Sequence, residues 1–128
     1  MKFATINNSK PDGQLVLVSK DLTDYVDISD LAGTLQEALD LWPAIQDKLL
    51  LRYEALNALE LTGINKVCNT QLMAPLPRSW QWLDGSLFLN HGVLMQQAFH
   101  LDPIEDADIY PLVYQGAGDS FLSANDKI

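Results

Sequence analysis

Polar and apolar positions alternate through Lys2-Phe-Ala-Thr-Ile6, and a β-branched run, Leu15-Val-Leu-Val18, follows after a turn-forming stretch. Between them Pro11-Asp-Gly13 supplies the turn chemistry, Pro by fixing φ and Gly by accepting positive φ, so the pattern predicts a β-hairpin. Asp21, Asp24, Asp27 and Asp30 then recur at every third position, interleaved with Leu22, Tyr25, Val26 and Ile28. A calcium-binding EF-hand loop needs oxygen ligands at alternate positions, a Gly and a closing Glu. This spacing is therefore read as turn formers and solvated charge.

From Thr34 the period changes. Leu35, Ala38, Leu39, Trp42, Ile45, Leu49, Tyr53, Leu56 and Leu59 keep a helical stripe, introduced by Gly33-Thr34 with Glu37 placed for a capping box. Pro43 interrupts the stripe, because Pro removes a backbone donor and disfavours helix at the residue before it. The pattern predicts one short helix to about Trp42 and a second from Pro43 to near Gly63, packed on the hairpin. Residues 1–72 thus read as a small α+β domain.

The segment from Cys68 to Leu83 reads as loop, carrying Pro75, Pro77, Trp80 and Trp82, with the two Trp residues flanking Gln81 as on an edge strand or an aromatic wall. Ser86 to Phe99 has helical character, with Leu87, Leu94, Met95 and Ala98 on one apolar face and His91 on that same face. Asp84, before Gly85-Ser86, takes the place of a residue just ahead of the helix, so that His91 would stand on its second turn. Leu101 to Asp108 reads as an acidic loop, Ile109 to Tyr114 as a strand, and Gln115-Gly-Ala-Gly118 as a tight turn. No Lys-Ser/Thr follows that Gly pair, so it is not a phosphate loop. Residues 73–128 are assigned to the start of a second, mostly-β domain.

Composition narrows the function classes. A formal charge of −9 with 8 Lys plus Arg argues against nucleic acid and anionic membranes, which require a basic face. The apolar share of 48% is enough for an ordinary core. The single Cys68 excludes an internal disulfide and has no recognisable activating His nearby, so it is not assigned as a nucleophile. No window approaches the ~20 apolar residues of a membrane span, and no apolar signal core opens the sequence, which together predict a cytoplasmic protein.

Met1-Lys-Phe-Ala-Thr-Ile-Asn-Asn8, Pro75-Leu-Pro-Arg78, Asp84, His91 and Pro111-Leu-Val-Tyr114-Gln-Gly116, in this order and spacing, resemble the fumarylacetoacetate hydrolase family, in particular its bacterial two-part members. The resemblance runs over essentially the whole chain. It implies hydrolysis of a carbon–carbon bond in a β-dicarbonyl acid of the acylpyruvate type, assisted by a divalent cation (Mg²⁺, Mn²⁺ or Ca²⁺). Asp84 would be a metal ligand, His91 would act with a Glu to activate the attacking water, and Tyr114 would contact the substrate. Ser86 stands where the family often has a substrate-holding Tyr, and only Gln96, Gln97 and His100 are candidates for a substrate-holding Arg.

The family's Glu-x-Glu metal ligands and substrate-polarising Lys have no counterpart, since no Glu occurs past Glu105. The expectation is therefore the front portion of such an enzyme, inactive by itself and associating as a homodimer or through an exposed apolar surface that includes Leu112, Val113, Phe121 and Leu122. The alternative is a stand-alone interaction or ligand-binding module, catalytically inactive and derived from that family.

Overall fold

The computed structural model describes residues 1–86 and 88–127. It has an α+β architecture in two compact units, Met1–Ser79 with the segment from Ser120, and Trp80–Asp119.

In the first unit the predicted hairpin is present, and it is part of a larger sheet. Strands β1 (Lys2–Ile6), β2 (Gln14–Val18), β3 (Asp24–Asp27) and β4 (Asn65–Lys66) run antiparallel in chain order. The register pairs Phe3 with Leu17 and Leu17 with Val26, which puts these three on one face together with Leu15 and Thr5. Pro11 and Gly13 close the β1–β2 connection through a Gly13 N–H to Lys10 carbonyl bond of 3.0 Å. The sequence reading had no β3 or β4. Tyr25 and Val26 are strand formers, but their flanking Asp residues hid them, and β4 is too short to leave a pattern.

Those Asp side chains are all engaged. Asp21 accepts from the Ser19 hydroxyl at 2.6 Å and from the Thr23 amide and hydroxyl. Asp27 accepts from the Ser29 amide at 2.7 Å. Asp24 meets Lys66 across the β3–β4 pair at 2.6 Å, and the Arg52 guanidinium forks onto Asp30.

Helix α1 (Leu35–Asp40) starts at Thr34, whose hydroxyl accepts from the Glu37 amide at 3.2 Å, while Glu37 reaches back to the Gly33 amide at 2.7 Å. Helix α2 (Trp42–Asn57) carries Pro43 in its first turn, where a missing N–H leaves no bond unmade. It ends at Asn57 rather than near Gly63. Leu59 takes a left-handed φ of 59°, and the Leu59 and Glu60 amides bond back to the Leu56 and Ala55 carbonyls. The helix thus closes in a Schellman turn built on Leu, a residue that gives no such signal in sequence.

Ile45, Leu49 and Leu56 of α2 and Ala38 of α1 pack with Leu15, Leu17, Val26 and Ile28 to form the core. Trp42 meets Phe3 edge-on at 6.2 Å.

The outer edge of β1 is covered by residues 71–73, through Asn7 N–H to Gln71 carbonyl and Met73 N–H to Thr5 carbonyl bonds of 2.9 Å. Thr5 is buried, and its hydroxyl donates to the Pro75 carbonyl at 2.7 Å. Arg78 grips Asp12 in the hairpin turn with both arms of its guanidinium. The Pro75 carbonyl and the Arg78 side chain therefore both secure the hairpin.

The engaged carboxylates set an acid limit. Hydrogen bonds from Ser19 and Thr23 pull Asp21 down to about 2. Arg78, Lys66 and Arg52 hold Asp12, Asp24 and Asp30 below their ordinary range. Each group binds its proton less readily folded than unfolded, so its contribution is present above the ordinary carboxylate range and is lost as pH falls toward 2. Thermal melts should show a flat midpoint from about pH 7 to 5 and a steep fall below about pH 4. A midpoint unchanged down to pH 2.5 would contradict these assignments.

In the second unit β5 (Leu83–Ser86) and β6 (Leu112–Gln115) form an antiparallel pair, and α3 (Leu89–Phe99) lies between them in sequence. Asp84 and Ser86 are thus strand residues, where sequence placed a helix start. Gly85-Ser86 resembles a start signal locally, but the four-pair ladder with β6 takes up those backbone groups instead. The helix begins at Leu89, so His91 is in its first turn. Leu87, assigned to the helix's apolar face, lies outside the described residues. Leu94, Met95 and Ala98 are exposed, so the expected apolar face is not packed among the described residues. No helix of the described residues is long and apolar enough to cross a membrane.

Candidate functional site

The β5–β6 register brings together two of the residues singled out from sequence. Asp84 pairs directly with Tyr114, and Ser86 with Leu112. Directly opposed residues share a sheet face with Cβ atoms ~5 Å apart, so Asp84 and Tyr114 present a carboxylate and a phenol side by side. Trp82 continues this face. Its ring centroid lies 5.8 Å from that of Tyr114, and its carbonyl accepts from the Gly116 amide at 3.2 Å. The indole lies over Gly116 so closely that a Cβ there would run into the ring. The strand pairing therefore extends to Gly116, where sequence suggested a turn passing close to another strand.

His91 sits on the opening turn of α3, its amide bonded to the Phe88 carbonyl at 2.9 Å. With Ser86 it lines a cleft of about 720 Å³, together with Met95, Leu112, Asp102 and Asp108. Asp84 and Tyr114 do not line that cleft. The predicted residues thus divide, with Asp84 and Tyr114 on one face of the β5–β6 pair, His91 in the cleft, and Ser86 on the same strand face as Asp84 while also lining the cleft.

The three candidates for a substrate-holding Arg fare differently. Gln96 lines the cleft. Gln97 does not, and His100 caps the C-terminus of α3 in a left-handed conformation with φ 53°.

Asp102 and Asp108 were read from sequence only as part of an acidic loop. Nothing in that run marks the two that turn toward a cavity, since the selection depends on how the loop returns beside α3.

Asp84 is the one carboxylate that the paired β5 and β6 offer a cation. Hard divalent ions take six or more oxygen ligands, usually with several carboxylates. Among the described residues no three His, Cys, Asp or Glu side chains come together as a metal site, so the residues present do not make up the family's cation site. Cys68 is exposed in the other unit, its thiol pulled below its usual value by hydrogen bonding with Thr70.

Residues 1–78 match the fumarylacetoacetase N-terminal domain 2 family, and the chain belongs to that family. The match covers the sheet, both of its helices and the Pro75-Leu-Pro-Arg78 stretch that locks the hairpin. No curated protein matches the chain.

Proposed function

We propose that this chain serves a fumarylacetoacetase-like hydrolase acting on a carbon–carbon bond of a β-dicarbonyl acid of the acylpyruvate type with Mg²⁺, Mn²⁺ or Ca²⁺. Residues 1–78 contribute the family's N-terminal domain, and β5, β6 and α3 would contribute part of the substrate-facing surface. Beyond family membership, the observation that carries this reading is Asp84 paired with Tyr114 on one face of the β5–β6 pair. Asp84 is the single carboxylate offered to the cation, Tyr114 and Ser86 position substrate, and His91 takes a proton from water. The proposed setting is a reducing cytoplasm, consistent with one exposed thiol.

The test uses Mn²⁺ as a paramagnetic probe. Mn²⁺ with an acylpyruvate should broaden the indole N–H signal of Trp82, and Asp84→Asn should abolish the effect while the fold's other signals stay in place. Equal broadening in Asp84→Asn, or none in the unaltered chain, would remove the basis of the reading.

Hydrolysis by residues 1–128 with added Mg²⁺ or Mn²⁺ should stay at background, because one carboxylate holds a hard cation weakly. Turnover that His91→Ala abolishes would show instead that the residues present suffice.

A second reading, an interaction module, is favoured by the exposed Val113, Leu112, Phe88 and Phe99 of the second unit. Sedimentation separates the two: dimerisation or aggregation through this surface is the outcome expected for part of a hydrolase, whereas one well-behaved species of fixed size supports the module.

A further inference from the structure

We infer that Trp82, seated on Gly116, is a positioning residue that fixes the ring of Tyr114 beside Asp84. This role rests on the hydrolase reading, in which Asp84 and Tyr114 face the acylpyruvate, and it brings two further residues into that site.

Gly116 is buried, whereas every other described residue from 80 to 119 is exposed or half-buried. The indole is what covers it, since a Cβ at Gly116 would run into Trp82 Cε2, Cζ2 and Nε1. Gly116 does not have a left-handed φ, so the indole, and not the backbone, excludes a side chain there. Its amide bonds to the Trp82 carbonyl, which continues the β5–β6 register and sets Trp82 diagonal to Tyr114 on one face. Trp80 behaves differently. It is 88% exposed against 37% for Trp82, and its carbonyl, not its ring, lies near Gly118. A ring laid over a glycine is therefore particular to Trp82.

From that seat the indole meets Tyr114 with centroids 5.8 Å apart and planes inclined by 59°, a tilted arrangement in which aromatic rings attract. Tyr114 is exposed, and among the described residues its phenol makes no hydrogen bond or ion pair, so packing orients the ring. A phenol held in place before substrate arrives loses less freedom on binding than one that turns. A methyl at position 116 would lift the indole from its seat and release the phenol.

The test first reads Tyr114 without ligand. Its ring signals, assigned through Tyr114→Phe, carry the ring-current shift of the indole. Trp82→Leu and Gly116→Ala should each move them toward the positions of a free tyrosine. Acetylpyruvate with Mg²⁺ is then titrated into the full chain and each variant, followed at the Asp84 amide. Both substitutions should weaken binding about fivefold, the worth of one hydrogen bond held in line. Trp82→Phe in the Gly116→Ala background should recover most of the loss, because the smaller ring lacks the indole atoms that the methyl strikes. A glycine needed only for the strand would not be rescued in this way. Undisturbed amide signals of β5 and β6 check the fold in each variant.

Tyr114 signals unmoved by both single substitutions, undiminished affinity in Trp82→Leu, or no rescue by Trp82→Phe would each overturn the inference. An unaltered chain that ignores acetylpyruvate, while Tyr114 still responds to Trp82 and Gly116, would instead count against the hydrolase reading and uphold the positioning.

Discussion

Replacing Gly13 with alanine should cost the first unit about 3 kcal/mol, enough to lower its melting temperature by roughly 10–20 °C. Two effects add. Gly13 has φ +62°, a left-handed conformation that costs an L side chain ~1 kcal/mol. A Cβ there would also lie 2.6 Å from Thr5 Cγ2, 2.7 Å from the Ile6 carbonyl oxygen and 2.8 Å from Met73 Sδ. The Met73 thioether can move aside, but the other two are fixed. Ile6 is in β1, and Thr5 is buried with its hydroxyl held by the Pro75 carbonyl. Overpacking against such neighbours costs ~1–3 kcal/mol.

Gly63→Ala is the control that separates the two effects. Its φ is +73°, yet its Cβ would meet open space, so only the conformational part, ~1 kcal/mol, should be lost. Equal losses at Gly13 and Gly63, measured by thermal circular dichroism, would show that crowding contributes nothing.

The same glycine marks how far the sequence could be read. Pro11-Asp12-Gly13 between two strand-like runs announced a turn, and the turn is there, but the crowding behind Gly13 depends on the β1–β2 register, which sets Thr5 and the Ile6 carbonyl against it. The helix break at Pro43 and the start at Thr34 were legible because both are local rules of backbone geometry and capping. Strand β3 was not, since its Asp24 and Asp27 ends look like turn residues until their partners Lys66 and Ser29 are known.

The site was legible in part for the same reason. The identities of Asp84, Ser86, His91 and Tyr114 came from resemblance, and sequence placed Asp84 before a helix. The ladder between β5 and β6 reassigns it to a strand, which is what sets Asp84 beside Tyr114. A long-range pairing outweighed a local Gly-Ser signal, and no local rule announces it. Arg78, another residue of the resembling stretches, binds Asp12 in the β1–β2 hairpin, whereas Asp84 and Tyr114 lie opposite each other in the β5–β6 pair of the other unit.

Leu49→Ala should be the most damaging core truncation considered, with a loss of about 3–4 kcal/mol and a melting temperature lowered by roughly 15–25 °C. Three leucines stand in a row at 49, 50 and 51, and composition cannot rank them. The helical stripe can, because Ile45, Leu49 and Leu56 return to one face of α2. Leu49 is fully buried in the cluster with Leu15, Leu17 and Ile28, whereas Leu51 is 67% exposed. Truncating Leu49 therefore removes apolar contacts and leaves a cavity between α2 and the sheet, while Leu51→Ala should change stability by less than about 0.5 kcal/mol. Urea unfolding of the two variants compares them directly. A small loss at Leu49 would mean that the helix can settle onto the sheet and fill the space. A large loss at Leu51 would mean that the opposite face of α2 is covered in solution.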